Sequence, residues 1–204
     1  MKVIAKSQNP ITDDACKAAT GKTLTEWYAY LDGLADSIKG RRDINNHLYN
    51  ELKVDAWWCT TIVVEYENSK GLKEKDGLSK GYNICSTKTI AAPVEKVYAA
   101  WAGAGELDKW FGSGNKLNLS DGGSFENAEG AKGTFKRVRE NKDLRFSWDS
   151  GSAPSLVDVV FTDKGGGKTG LLVNHDRIQT REEADGLRDA WADALNKLKT
   201  VAES

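Results

Sequence analysis

The stretch from Ile84 to Phe111, ICSTKTIAAPVEKVYAAWAGAGELDKWF, constrains the fold most, because it joins a strand to an aromatic-studded helix pair through a proline. Ile84 to Ile90 carries the β-branched, alternating side chains of a strand. Pro93 then stands where a helix can begin, its fixed φ suited to a first turn. Val94, Val97, Tyr98 and Trp101 recur at helical spacing. After the break at Gly103–Gly105 a second apolar group, Leu107, Trp110 and Phe111, follows at the same period. The spacing predicts one strand and two short helices, each helix with one apolar face.

Beyond this stretch, short strand patterns alternate with Gly, Asn and Asp and end in a long helix. Leu144, Phe146 and Trp148 alternate with Arg145, Ser147 and Asp149, and Val157, Val159 and Phe161 alternate with Asp158, Val160 and Thr162, so one sheet face is apolar and the other mixed. Thr180 and Glu183 form a capping-box pattern, and Leu187, Trp191, Leu195 and Leu198 follow at helical spacing. Such a helix has the length and the stripe to cover the sheet. Strands bracketed by helices define an α+β domain.

The first eighty residues read differently. Residues 1–9 are polar and aperiodic and are expected to be loose. A short helix is predicted from Thr12 to Ala19. Thr23-Leu24-Thr25-Glu26 opens a helix whose stripe is Leu24, Trp27, Leu31 and Leu34. Asp43 to Leu52 repeats the pattern with Ile44, Leu48 and Leu52, and Asp55 caps a further helix carrying Trp58, Ile62 and Tyr66. NSKGLKEKDGLSK has the composition of a solvated linker. The expected organisation is a small all-α domain over 1–70, a linker over 71–80 and an α+β domain over 81–204.

With 204 residues and 39% hydrophobic content the chain can bury a globular core. Lys and Arg total 29 against 30 Asp and Glu, so no net field favours nucleic acid or an anionic lipid surface. No apolar run is long enough for membrane insertion and the amino terminus lacks the apolar core of a signal peptide, so the expected location is cytoplasmic. Cys16, Cys59 and Cys85 are spread over distant segments, which argues for buried reduced thiols rather than a disulfide framework or a zinc site. Gly21-Lys22-Thr23 and Gly167-Lys168-Thr169 lack the preceding glycine of a phosphate-binding loop, and Gly112-x-Gly114 lacks the rest of a dinucleotide fingerprint.

A strand, an Ala-Pro step, a helix ending in Ala-Trp and then Leu-x-x-Trp-Phe resembles the opening of the domain shared by bacterial relatives of the Hsp90 ATPase activator, within the START-like or Bet v 1-like superfamily. Gly122-Gly123-Ser124-Phe125 is similar to that family's Gly-Gly-x-Phe hairpin, Gly133 to Val138 to its next strand, and Leu144-Arg145-Phe146-Ser147-Trp148 to its Leu-x-Phe-x-Trp strand. Thr169-x-Leu171-x-Val173-x-His175 resembles its last strand, and Trp191 with Leu195 and Leu198 its closing helix. The resemblance spans roughly Gly81 to Glu203. The segment TGKTLTEWYAYL and the helical stretch after it resemble a small uncharacterised helical domain found ahead of such domains.

The resemblance implies a helix-grip fold, a curved antiparallel sheet around a long C-terminal helix, with a cavity for a hydrophobic or aromatic small molecule between them. Trp110, Phe111, Phe125, Phe146, Trp148 and Trp191 are the aromatics expected to line it, although aromatics at strand and helix periods are first of all packing residues. His175, by parity with Leu171 and Val173, points inward near the end of its strand and can donate a hydrogen bond to a bound carbonyl or carboxylate. A lone histidine is poor evidence for metal or acid–base work, so no catalytic residue, metal or cofactor is assigned. His47 lies on a polar helix face and is expected to be solvated, and the Trp57-Trp58 pair is a seed for a contact if both rings cannot be buried. The leading function is non-enzymatic binding of a hydrophobic small molecule. The alternatives are a co-chaperone-like role with a protein partner, and a polyketide cyclase-like or hydrolase-like enzyme.

Overall fold

The computed structural model describes residues 1–35, 37–38, 40–149 and 151–204. The chain divides into two compact units, Ser7–Tyr82 on the one hand and Met1–Lys6 with Asn83–Ser204 on the other.

The first unit is helical: α1 (Asp13–Thr20), α2 (Leu24–Gly33), α3 (Arg41–Asn46), a single π turn (His47–Glu51) and α4 (Ala56–Ser69). Its helix starts follow from the caps. Thr12 accepts from Ala15 N, Thr23 and Glu26 form the reciprocal box, and Asp55 accepts from Trp57 N. The core gathers Cys16, Trp27, Leu31, Leu48, Trp57, Trp58, Ile62 and Val63. α4 buries Trp57, Trp58, Cys59, Thr61, Ile62, Val63 and Val64, more than the single stripe expected, as befits a central helix. Trp57 and Trp58 meet edge to face at 4.8 Å and both are buried, so neither is left over for a contact.

The helix expected over Asp43 to Leu52 instead changes to the π turn at His47, which widens the backbone by one residue per turn. Leu48 enters the core there, and His47 is drawn in with it. Its side chain is only 12% exposed, with Nδ1 2.8 Å from Glu51 Oε2 and Nε2 2.8 Å from the Tyr30 hydroxyl, so the expectation of a solvated ring is wrong. The polar stretch after α4 is held at its far end. Arg41 pairs with Glu67 and donates to the Gly81 carbonyl at 2.6 Å, and the Tyr82 hydroxyl donates to Glu65 at 2.7 Å.

In the second unit, β1 (Tyr82–Ile90) leads to α5 (Val94–Ala102) and α6 (Ala104–Leu107). Then come β2 (Lys116–Leu117), β3 (Ser124–Glu126), β4 (Lys132–Arg139), β5 (Asp143–Trp148), β6 (Ser155–Gly165), β7 (Lys168–Ile178) and the long α7 (Arg181–Glu203). Among the described residues these strands make a seven-stranded sheet in the order β1-β7-β6-β5-β4-β3-β2, antiparallel from β2 through β7. α5 and α6 therefore carry the chain from one sheet edge to the other. Gly165, Gly166 and Gly167 all have positive φ, which lets the β6–β7 hairpin turn as its sequence implies.

Register fixes the two faces. Leu144 pairs with Val159, which pairs with Val173, and Phe146 pairs with Val157, which pairs with His175; all are buried. The opposite face carries Arg137 and Arg145 near Asp158, at 3.6 and 3.8 Å. Leu187, Trp191, Leu195 and Leu198 of α7 are buried as their spacing predicts. This is the helix-grip architecture, with an all-α unit ahead of it.

Four details differ from the sequence reading. α6 is one turn long, and Trp110 and Phe111 lie in the turn beyond it, where Trp110 N bonds to Leu107 O and Phe111 N to the same carbonyl. Cys85 alternates outward on β1 and is exposed, unlike Cys16 and Cys59. The Thr180 hydroxyl does cap Glu183 N, but the Glu183 carboxylate accepts from Ser152 N and Oγ at 2.8 and 2.6 Å instead of returning to the cap backbone. Residues 1–6 are not loose: Met1 is buried and Lys6 N donates to Glu182 O at 3.1 Å. Thr180→Ala should destabilise the sheet unit by about 1 kcal/mol in denaturant unfolding, because it removes the side-chain acceptor of the Glu183 amide.

Candidate functional site

The space between the sheet and its helices is filled by aromatic rings. Phe111 lies 5.9 Å from Trp191, 6.1 Å from Trp148, 6.3 Å from Phe125 and 5.2 Å from Trp110, centroid to centroid. Phe125 meets Phe146 edge-on at 5.2 Å, and Trp101 stacks on Trp191 at 6.2 Å. These are the offset and edge-on arrangements that the ring quadrupole favours. What remains between Trp101, Leu107, Phe111, Phe125, Phe135 and Phe146 is a void of about 20 Å³, room for one water at most. Among the described residues, the buried Trp101 Nε1–H has no hydrogen-bond partner.

His175 is fully buried, and its partners set its tautomer. Trp191 Nε1–H can only donate, and it lies 3.2 Å from His175 Nδ1, so the ring proton sits on Nε2. Nε2 is 2.7 Å from Ser155 Oγ, which donates in turn to the Trp148 carbonyl at 3.3 Å. A helix, two strands and a strand end are thereby linked in one directed chain. Burial lowers the His175 pKa to about 3, so the imidazole is neutral and both nitrogens are engaged.

A second space is larger. At the end of the cleft where α7 begins, a groove of about 440 Å³ is lined by Met1, Val3, Ala5, Glu129, Ala131, Trp148, Ser152, Thr180, Glu183 and Leu187, among others. Trp148 and Leu187 give it an apolar floor. Of the residues expected to bind a ligand, Trp148 alone reaches this groove. Phe111, Phe125 and Phe146 border the small void, while Trp110, Trp191 and His175 border neither. The missed residues are those of the amino terminus. They carry little local signal, since the apolar run Val3-Ile4-Ala5 hides the alternation by which Met1, Val3 and Ala5 share one side of the segment.

Among the described residues, no group of three or more His, Cys, Asp or Glu is placed to hold a metal ion, and no helix is long and apolar enough to cross a membrane. The sequence pattern of the Activator of Hsp90 ATPase homolog 1-like protein family matches residues 91–203, from the end of β1 to the end of α7. The chain belongs to this family. Solved structures similar to it agree on the fold of this Hsp90-activator-like domain. CalU16 from Micromonospora echinospora shares 23% identity over 59% of this chain and 75% of its own, with a TM-score of 0.54. An HSP90 activator from Plasmodium falciparum shares 19% identity over 59% and 96%, with a TM-score of 0.55. The Aha1 dimer from Colwellia psychrerythraea shares 21% over 60% and 96%, with a TM-score of 0.53. No curated protein sequence matches the chain significantly.

The buried relay makes two predictions for this domain. Trp191→Phe keeps a ring but strands His175 Nδ1 without a donor, and should cost about 1–3 kcal/mol in denaturant unfolding. Because the folded His175 pKa lies below the unfolded value, its contribution is complete above about pH 6.5 and is lost as pH falls toward 3, at up to about 1.4 kcal/mol per pH unit. His175→Gln should flatten the stability profile measured between pH 6.5 and 5, whatever its effect at neutral pH.

Proposed function

We propose that this chain binds a small apolar or aromatic molecule, without chemical turnover, in the groove where α7 begins. The observation that carries this reading is an apolar base of Trp148 and Leu187 under a groove of about 440 Å³, within the roughly 300–1,000 Å³ typical of small-molecule sites; the interior void of about 20 Å³ is too small, and a surface hollow of about 490 Å³ beside β6 and β7 has no aromatic residue in its lining. Trp148 and Leu187, both nearly fully buried, form the base of the groove, Val3 and Ala5 give more open apolar contact, and Ser152 and Thr180 place polar atoms at the rim. In this reading Trp110, Phe111, Phe125, Phe146, Trp191 and His175 shape the groove from behind. Binding without turnover is supported by the engagement of the nearby polar groups: His175 is committed at both nitrogens, and Glu183 accepts from Ser152 and Thr180.

Titration of the full chain with 1-aminoanthracene, followed by probe fluorescence, tests the reading. The native chain should bind, and Leu187→Trp, which puts an indole into the groove, should weaken binding at least about tenfold, a loss of about 1.4 kcal/mol. Equal affinity in the two proteins would remove the groove as the site.

A second reading, stimulation of an Hsp90-type ATPase, is supported by the family's description and by the HSP90 activator among the similar structures. Addition of the full chain to an Hsp90 ATPase assay should raise turnover if this role is carried, and unchanged turnover rejects it.

A further inference from the structure

We propose that residues 1–6 form a displaceable strap over the groove, so that entry of an apolar ligand requires the strap to leave its seat on α7. The inference rests on the reading of the groove as a binding site and adds its gate.

The seat is specific. Met1, Val3 and Ala5 line the groove, and Lys2, Ile4 and Lys6 alternate away from it; Ile4 is 61% exposed. The strap's backbone runs against the first turns of α7 at Gly186, where a Cβ would lie 2.2 Å from the Ile4 carbonyl oxygen. A glycine in the interior of a 23-residue helix is unfavourable by itself, and here its missing side chain is what admits the strap. At its far end Lys6 N bonds to Glu182 O at 3.1 Å, and Lys6 Nζ lies 3.5 Å from Asp189 in an exposed pair. Exposed pairs of this kind hold little. At its start the Met1 amine pairs with Glu129 at 2.8 Å, so the strap is seated by shape and by polar contacts at its two ends rather than by sheet pairing. Its chain continues directly at Ser7 into the helical unit.

Gly186→Ala isolates the claim, because Gly186 is absent from the groove lining and alanine favours the helix. Its Cβ should unseat the strap while the unfolding midpoint of the sheet unit does not fall. In the full-length variant the Lys6 amide should exchange hydrogen about tenfold faster than in the native chain, and stopped-flow association of 1-aminoanthracene should accelerate by a similar factor. Unchanged exchange at Lys6 would mean that the strap is not seated at Gly186 and would overturn the proposal. Faster exchange with unchanged association would show that the strap opens without gating the groove, and would overturn it equally. If neither protein binds the probe, the binding reading itself fails and the gate falls with it, whereas loss of gating alone leaves probe binding intact in both proteins.

Discussion

A sheet with one apolar face has to be covered, and in this chain Trp191 joins the cover to the sheet. Its ring stacks on Trp101 from the first helix pair and packs near Phe111 and Trp148, while its N–H ends on His175 in the middle of β7. Apolar packing alone tolerates small slides of a helix along a sheet. A directed bond from Trp191 through His175 and Ser155 to the Trp148 carbonyl does not, because each donor must meet its acceptor. The relay fixes α7 against β5, β6 and β7, and the aromatic cluster closes around that fixed point. The groove lies at the end of the cleft that the rings leave unfilled.

Much of this architecture was legible because it follows from local rules. The two-residue alternation of β5 and β6 set the buried face, the four-residue stripe of α7 set its cover, and threonine or aspartate caps at Thr23, Asp55 and Thr180 placed three helix starts. The family resemblance rested on the same residues and extended across the whole sheet unit. The unread parts depend on tertiary contacts. Nothing local signals that Asp43 to Leu52 changes to a π turn, since the change is enforced by Leu48 entering the core and His47 meeting Tyr30. Nor does local pattern show that Glu183 leaves its own cap to bind Ser152, thirty-one positions away.

The candidate site was less legible than the fold for a physical reason. Side-chain types reveal that a cleft is aromatic, but whether rings of that kind line a cavity or fill it depends on separations of a few ångströms. Phe111, Phe125 and Phe146 turned out to be close enough to leave a void of about 20 Å³. The groove is walled in part by a six-residue segment separated in sequence from the sheet by the whole helical unit. Its contact partner, Gly186, is informative only once the Ile4 carbonyl is known to pass over it.

The tryptophans report where a bound molecule sits. The indole N–H resonances of the full chain, followed by heteronuclear NMR as 1-aminoanthracene is added, separate the two spaces. Binding in the groove should perturb Trp148 most, with methyl shifts at Val3 and Leu187, and little change at Trp101 or Trp110. A molecule held inside the ring cluster has a different signature, because the Trp101 N–H, without a hydrogen-bond partner among the described residues, faces it there. Perturbations centred on Trp101 and Trp110, with Trp148, Val3 and Leu187 unmoved, would put the molecule among the rings and exclude the groove.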